Sequence, residues 1–299
     1  MAFLTQHPWF RHLVTGTPPG RAVARRFVPG ESLDEAMAAA HRLRDQGIAT
    51  MLDHLGENVR APEQAAEAAS AYARALERIR EGGERLDCAV SIKLTQLGLD
   101  FSTELCLAHV ERVLDAATGR LVMIDMESAP YVDRTLEVFR RLRARHDNLG
   151  LCLQAYLRRT PDDVFALPPG SPIRLVKGAY LEPPEIALTG RREVDRAFSN
   201  LAATLLSRGH PLHVATHDPR LLDGVKRLMV RDAVSRSRVE FQMLYGIRRD
   251  LQAGLVGDGY PVRVYVPYGT EWYPYLTRRL AERPANMWFF LSNVARSGR

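Results

Sequence analysis

After residue 46 the chain alternates short apolar runs with longer segments in which apolar residues recur at helical spacing. The runs cover residues 48–53, 88–94, 121–127, 149–156, 173–178, 212–218, 239–244 and 262–267, eight in all. Between them, Tyr72, Leu76 and Ile79 repeat at helical spacing, as do Val132, Leu136 and Phe139, with charges in the other positions. That pattern predicts helices with one buried face. Strands that alternate with helices of this length pair in parallel through crossover helices. Eight such units in about 250 residues are the size and count of a (β/α)8 barrel. The rival is an open doubly wound sheet. Its usual nucleotide fingerprints, G-x-G-x-x-G after the first strand and G-x-x-x-x-G-K, are missing.

The expected organisation is an N-terminal helical arm over residues 1–46, followed by a barrel domain over 47–299 whose last helix spans about 271–283. Two stretches of the arm have helical character, separated by Pro and Gly at VTGTPPGR and FVPGES. Ser32 with Glu35 three positions later fits a capping box that opens a helix over about 33–45.

Composition narrows the class. The chain has 299 residues, 46% hydrophobic and 25% charged, which suits a globular protein with one large core. No run reaches the roughly 18 apolar residues of a membrane span, and MAFLTQHPWFRHL lacks the apolar core of a secretory signal, so a cytoplasmic setting is expected. Cys88, Cys106 and Cys152 are odd in number, lack metal-type spacing and sit in apolar segments, which reads as buried reduced thiols. The net charge of +6 comes without a basic run interleaved with aromatics, so it reads as diffuse surface arginine with no nucleic-acid partner. Among 41 Lys and Arg only Lys93, Lys177 and Lys226 are lysine, and the first two close apolar runs. A lysine kept at a strand end fits chemistry that wants a compact ammonium.

Active sites of such barrels lie at the carboxyl ends of the strands. The residues there are unusually polar: Asp53 and His54, Lys93 and Thr95, Asp125 and Glu127, Gln154 and Tyr156, Lys177 and Tyr180, Thr216 with His217 and Asp218, Gln242, and Tyr265. A purely structural account would bear the cost of burying polar groups at nearly every strand, so a functional mouth is the better reading. Lys177, Gly178 and Ala179 join a cation to residues small enough for close backbone approach, which suits a phosphate or the polar edge of a flavin. His213 and His217 could share a strand face, but no third ligand stands at suitable spacing, and no metal is expected.

Past the last run, WYPYLTRRLAERPAN sets Tyr275, Arg278, Arg279 and Glu282 on one helical stripe. Twinned guanidiniums beside a tyrosine make a fork for a small carboxylate. The competing reading is a solvated helix face with an internal Arg–Glu pair.

The motifs SIKLTQLG, IDMES, LQAYLRRT, RLVKGAY, ATHD, EFQMLYG, VYVPYG and YLTRRLAER occur in that order over about residues 47–290, and together they resemble the proline dehydrogenases. Both the monofunctional bacterial enzymes and the corresponding domain of bifunctional proline utilisation proteins share them. RLVKGAY and Y-x-x-R-R-x-x-E are the specific ones. The resemblance implies a distorted (β/α)8 barrel that binds FAD non-covalently and oxidises L-proline to Δ1-pyrroline-5-carboxylate, the first step of proline catabolism. Electrons would pass to a quinone at the membrane, with peripheral association at its inner face. By the same resemblance Arg278 and Arg279 hold the proline carboxylate with Lys93 assisting, and Glu282 orients the second arginine. Leu244, Tyr265 and Tyr275 close over the ring, while Asp125 and Arg174 are catalytic-site positions. Met126, Gln154, Lys177, Gly178, Ala179, Thr216, His217 and Gln242 contact FAD, supported by Tyr180.

Three cations facing one carboxylate would repel one another when empty, which makes anion binding favourable and geometrically strict. The rival chemistry is a lyase in which Lys93 or Lys177 forms a Schiff base. The rival without chemistry is a basic scaffold that binds nucleic acid.

Overall fold

The computed structural model describes residue 21 and residues 24–56, 59–83 and 85–282, with side chains as far as Arg279. The earlier of the two expected helical stretches of the arm lies in large part outside the described residues. So does the side chain of Glu282.

Eight parallel strands close into a barrel in sequence order. They are β1 (Ala49–His54), β2 (Cys88–Ile92), β3 (Val122–Ile124), β4 (Leu149–Gln154), β5 (Ile173–Val176), β6 (Leu212–Ala215), β7 (Val239–Leu244) and β8 (Val262–Tyr268). Closure runs from Ala49 opposite Arg263 to His54 opposite Tyr268. The doubly wound alternative is thereby excluded, since an open sheet leaves two edge strands unpaired.

The helices are α1 (Leu33–Arg44), α2 (Pro62–Glu81), α3 (Thr103–Ala117), α4 (Val132–Arg143), α5 (Thr160–Phe165), α6 (Arg191–Ser207), α7 (Pro219–Arg231), α8 (Arg249–Gly257) and α9 (Trp272–Glu282). α1 opens as the sequence predicts: Ser32 accepts from the Glu35 amide, and the Glu35 carboxylate accepts from Ser32 in return. α2 starts on Pro62 and buries Tyr72, Leu76 and Ile79 on one face. The same logic holds in α4, where Val132, Leu136 and Phe139 face inward.

The departure from an ideal barrel lies at its two ends in sequence. A regular unit would lay its last helix outside the final strand. Here α1 packs against β1 and β8. The last helix, α9, instead brings Tyr275, Arg278 and Arg279 to the cavity lined by the strand ends. The barrel is therefore a distorted one, as the resemblance implies.

The barrel interior is more polar than the branched aliphatic filling usual for this fold. Met51, Ala89 and Met123 form one small apolar cluster against Tyr265. Toward the amino ends of the strands, Arg263 reaches Glu240 at 2.9 Å and Asp87 at 3.0 Å. Burial by itself would raise the Glu240 carboxyl, but Arg263 and His213 outweigh it and hold the group well below the usual carboxylate range. Gln242 then bridges upward. Its amide nitrogen lies 2.7 Å from both Glu240 Oε1 and His213 Nδ1, and its oxygen accepts from Arg174 Nε at 2.7 Å. A hydrogen-bonded column thus runs from the closed end of the barrel to its mouth.

Candidate active site

The mouth is a cavity of about 470 Å³. Its floor is an ionic network built by strands whose alternate residues point inward. Asp53 at the end of β1 lies beside Ser91 of β2, and Ser91 lies beside Met123 of β3. Asp125, just past β3, receives Ser91 Oγ at 2.8 Å, the Tyr265 hydroxyl at 2.8 Å and Lys93 Nζ at 3.3 Å. Arg174 of β5 donates to the same carboxylate and to Ser91 Oγ at 3.0 Å, while its second amino nitrogen faces Met51 Sδ. Its guanidinium carbon stands 5.3 Å from the centre of the Tyr265 ring. Lys93 Nζ is 3.0 Å from Asp53 Oδ1.

The protonation states follow from this geometry. Burial alone would raise Asp125, but Lys93 and Arg174 hold it below the ordinary carboxylate value. For Asp53 burial prevails over the attraction of Lys93, and its carboxyl is raised. Burial opposes the charge on Lys93, yet Asp53, Tyr265 and Asp125 together push its pKa well above the lysine norm. The ammonium therefore persists at neutral pH. Burial and the neighbouring Asp125 likewise keep Tyr265 protonated, as its donation to Asp125 requires.

This corrects one expectation. Lys93 is not an uncompensated cation; it sits between the carboxylates of Asp53 and Asp125. The two arginines line the cavity together with Tyr275, and the Arg279 guanidinium lies 5.3 Å from the centre of the Tyr275 ring. Tyr275, Arg278 and Arg279 face the strand ends, so the solvated-face reading does not hold for these three residues of the stripe.

The other side of the cavity is made by β4 to β7. Met126, Gln154, Lys177, Gly178, Ala179, Tyr180, Thr216, His217, Gln242 and Leu244 all line it. Lys177 is braced by Asp195 at 2.6 Å and Asp218 at 3.1 Å. Gly178 has φ +127, and a Cβ there would stand 2.2 Å from the Tyr156 ring, so only glycine lets the backbone of 177–179 run along the wall. His217 Nε2 accepts from the Leu244 amide at 3.0 Å, which assigns the ring proton to Nδ1.

Every predicted site residue whose side chain is described meets in this one cavity. Four polar residues of the expected mouth do not. Thr95 binds Glu127 at 2.6 Å, His54 packs with Gln96 and Tyr268, and the Tyr156 ring backs Gly178. Ser91, in contrast, was given no role from sequence yet is central to the network, and Asp53, expected in the mouth without a stated role, pairs there with Lys93. Ser91 carries no signal of its own, because a lone serine in an apolar run reads as filler. The cysteines are buried and unpaired; burial pushes Cys88 up to about 11 and Cys106 and Cys152 up to about 12. Among the described residues no group of three His, Cys, Asp or Glu side chains could hold a metal, and no helix is long and apolar enough to cross a membrane.

A closed parallel barrel with a cavity at the carboxyl ends of its strands, lined by charged and tyrosine side chains, is the architecture of the barrel enzymes. Residues 36–291 match the family model described as proline dehydrogenase, and the chain belongs to that family. It is an oxidoreductase acting on proline. Proline dehydrogenase of Deinococcus radiodurans is 40% identical over 280 residues, covering 91% of this chain and 90% of that protein. Proline dehydrogenase 1 of Bacillus subtilis subsp. natto is 39% identical over 277 residues, covering 92% and 91%. Among solved structures, proline utilization A of Bdellovibrio bacteriovorus, inactivated by N-propargylglycine, superposes with a TM-score of 0.82 at 27% identity. The superposition covers 87% of this chain and 32% of that longer one.

Proposed function

We propose that the cavity holds FAD non-covalently against β4 to β7, that L-proline binds beneath α9, and that proline is oxidised to Δ1-pyrroline-5-carboxylate. The residues on that wall fit a flavin. The wall combines amides from Gln154 and Gln242, a backbone laid bare at Gly178, and a lysine held in position, a donor set suited to a planar ring with a polar edge. The volume of about 470 Å³ falls in the range of cofactor pockets. When bound, FAD supplies the acceptor for the hydride that leaves proline C5.

The chain's own residues bind and orient. Arg278 and Arg279 grip the substrate carboxylate as planar, permanently charged donors. Tyr265, Tyr275 and Leu244 close over the ring and exclude water. Asp125 stays ionised between Lys93, Arg174 and Tyr265, and so fixes these three groups instead of taking a proton. The substrate ammonium must lose a proton before hydride can leave, and the cations of α9 favour that loss. The two-electron oxidation thus releases one hydride and one proton. A quinone at the membrane face is the proposed electron acceptor, and Glu282 the proposed partner that orients Arg279.

The observation that carries this reading is the convergence of the paired arginines and the glycine-bared wall on one cavity. A Schiff-base lyase is disfavoured, since it needs a neutral amine. Lys93 is raised well above the lysine norm, and Lys177 is ion-paired with both Asp195 and Asp218. The test is spectroscopic: purified protein should be yellow, and L-proline added under anaerobic conditions should bleach its flavin absorbance. A colourless protein that binds no added FAD would overturn the proposal.

A further inference from the structure

Residues 24–31 run between the barrel and the start of α9; none of them lines the ligand cavity, although Val28 packs behind Tyr265 and Tyr275, which do. Their contacts are specific. The Arg26 carbonyl oxygen lies 1.8 Å from where a Cβ on Gly246 would stand, with Gly246 at φ +74, so the segment is seated against the loop after β7. At the other end the Glu31 and Ser32 amides both donate to Glu35 Oε2, at 2.9 and 3.1 Å, which ties the segment to the first turn of α1. α1 in turn packs on β1 and β8. Between these two anchors Val28 is buried in a cluster with Leu55 and Tyr275, against Tyr265 and Trp272. The indole Nε1 of Trp272 donates to Glu31 Oε1 at 2.7 Å.

We propose that residues 24–31 are a strap that sets the position of α9, with Glu31 a positioning residue that acts through Trp272 on the paired arginines. Trp272 is the first residue of α9. A carboxylate at that end satisfies an indole donor and complements the positive end of the helix dipole. Tyr275 follows one turn later, and Arg278 and Arg279 one turn after that, so they share its face. Their guanidiniums are therefore aimed by how the helix start is held. The helix rises about 1.5 Å per residue, so a tilt at Trp272 reaches the arginines about 10 Å away as a displacement of the whole fork. Carboxylate binding by two planar donors is sensitive to such a shift.

The inference rests on the reading of α9 as the proline clamp, and the experiment separates the two. Steady-state KM and kcat for L-proline and flavin content are measured for the full chain carrying Glu31→Ala, Glu31→Gln, Trp272→Phe, the Glu31→Ala/Trp272→Phe pair, and Arg279→Met. Glu31→Ala and Trp272→Phe should each raise KM about five- to tenfold, the size of one solvent-exposed hydrogen bond, with kcat and flavin content near wild type. Glu31→Gln keeps an acceptor oxygen and should restore most of the loss. The double variant should be no worse than the poorer single one. An unchanged KM in Glu31→Ala, a parallel loss of kcat and flavin, or additive effects in the pair would overturn the strap. If Arg279→Met raises KM while the Glu31 variants do not, the strap alone falls. If Arg279→Met leaves KM unchanged, the clamp falls and the strap with it.

Discussion

Tyr265 shows how closely charge and chemistry are joined at single residues. Its hydroxyl donates to Asp125 at 2.8 Å while its ring lies against Arg174. Tyr265→Phe keeps the ring and deletes the donor. Losing a donor to the ionised form raises the Asp125 pKa, so the acid limb of kcat/KM should move to higher pH. The plateau should fall by about tenfold, matching one hydrogen bond to a charged group. A pH–rate profile superimposable on wild type would show that Asp125 does not depend on Tyr265. At this scale the sequence was a good guide where residue type and position agreed, as for Asp125, Lys93 and Gln242 at strand ends. It failed for Thr95 and Glu127, which look like mouth residues but satisfy each other at 2.6 Å. Period-two patterning tells which side of a strand a residue faces; it does not tell which polar residues past the strand end turn back to pair.

At the scale of elements, all eight apolar runs form strands, and the capping box opens α1 where it was read. The ends are less legible. The runs expected over 121–127 and 212–218 become strands of three and four residues, Val122–Ile124 and Leu212–Ala215. The remaining residues leave the ladder to line the mouth, as Asp125, Thr216 and His217 do. Polarity marks these residues as belonging to the mouth, but a polar residue can also end a strand inside the ladder, so the pattern does not say where the pairing stops. Nor did it foretell the exchange of roles between α1 and α9. Both are amphipathic, and which one covers the flank of β8 depends on long-range packing. The strap from Ala24 to Glu31 follows from that exchange: a helix lifted off the flank needs something to hold its first turn.

For the whole molecule, the polar column inside the barrel makes stability pH-dependent. The folded-state pKa of Glu240 is depressed, so its contribution is full above the ordinary value of 4.5 and is lost as pH falls. Asp53 has the opposite sign: its carboxyl is raised, so its contribution is full at low pH and is lost as pH rises through the folded-state pKa. The stronger charge pairing of Glu240 should dominate the acid limb. Glu240→Gln should cost about 3 kcal/mol at pH 7 by leaving the buried Arg263 with no carboxylate but the exposed Asp87, yet lose less than wild type between pH 7 and pH 4. Urea unfolding at the two pH values checks this; parallel losses in both proteins would exclude Glu240 as the acid-sensitive group. The account as a whole turns on α9 as a carboxylate clamp over a flavin wall that does not depend on it. The most direct measurement is kcat/KM for L-proline alongside flavin content in Arg279→Met. The account predicts a loss of about 2 to 5 kcal/mol in kcat/KM, carried by KM, with flavin content unchanged. Equal loss of flavin and proline binding, or no change in KM, would contradict it.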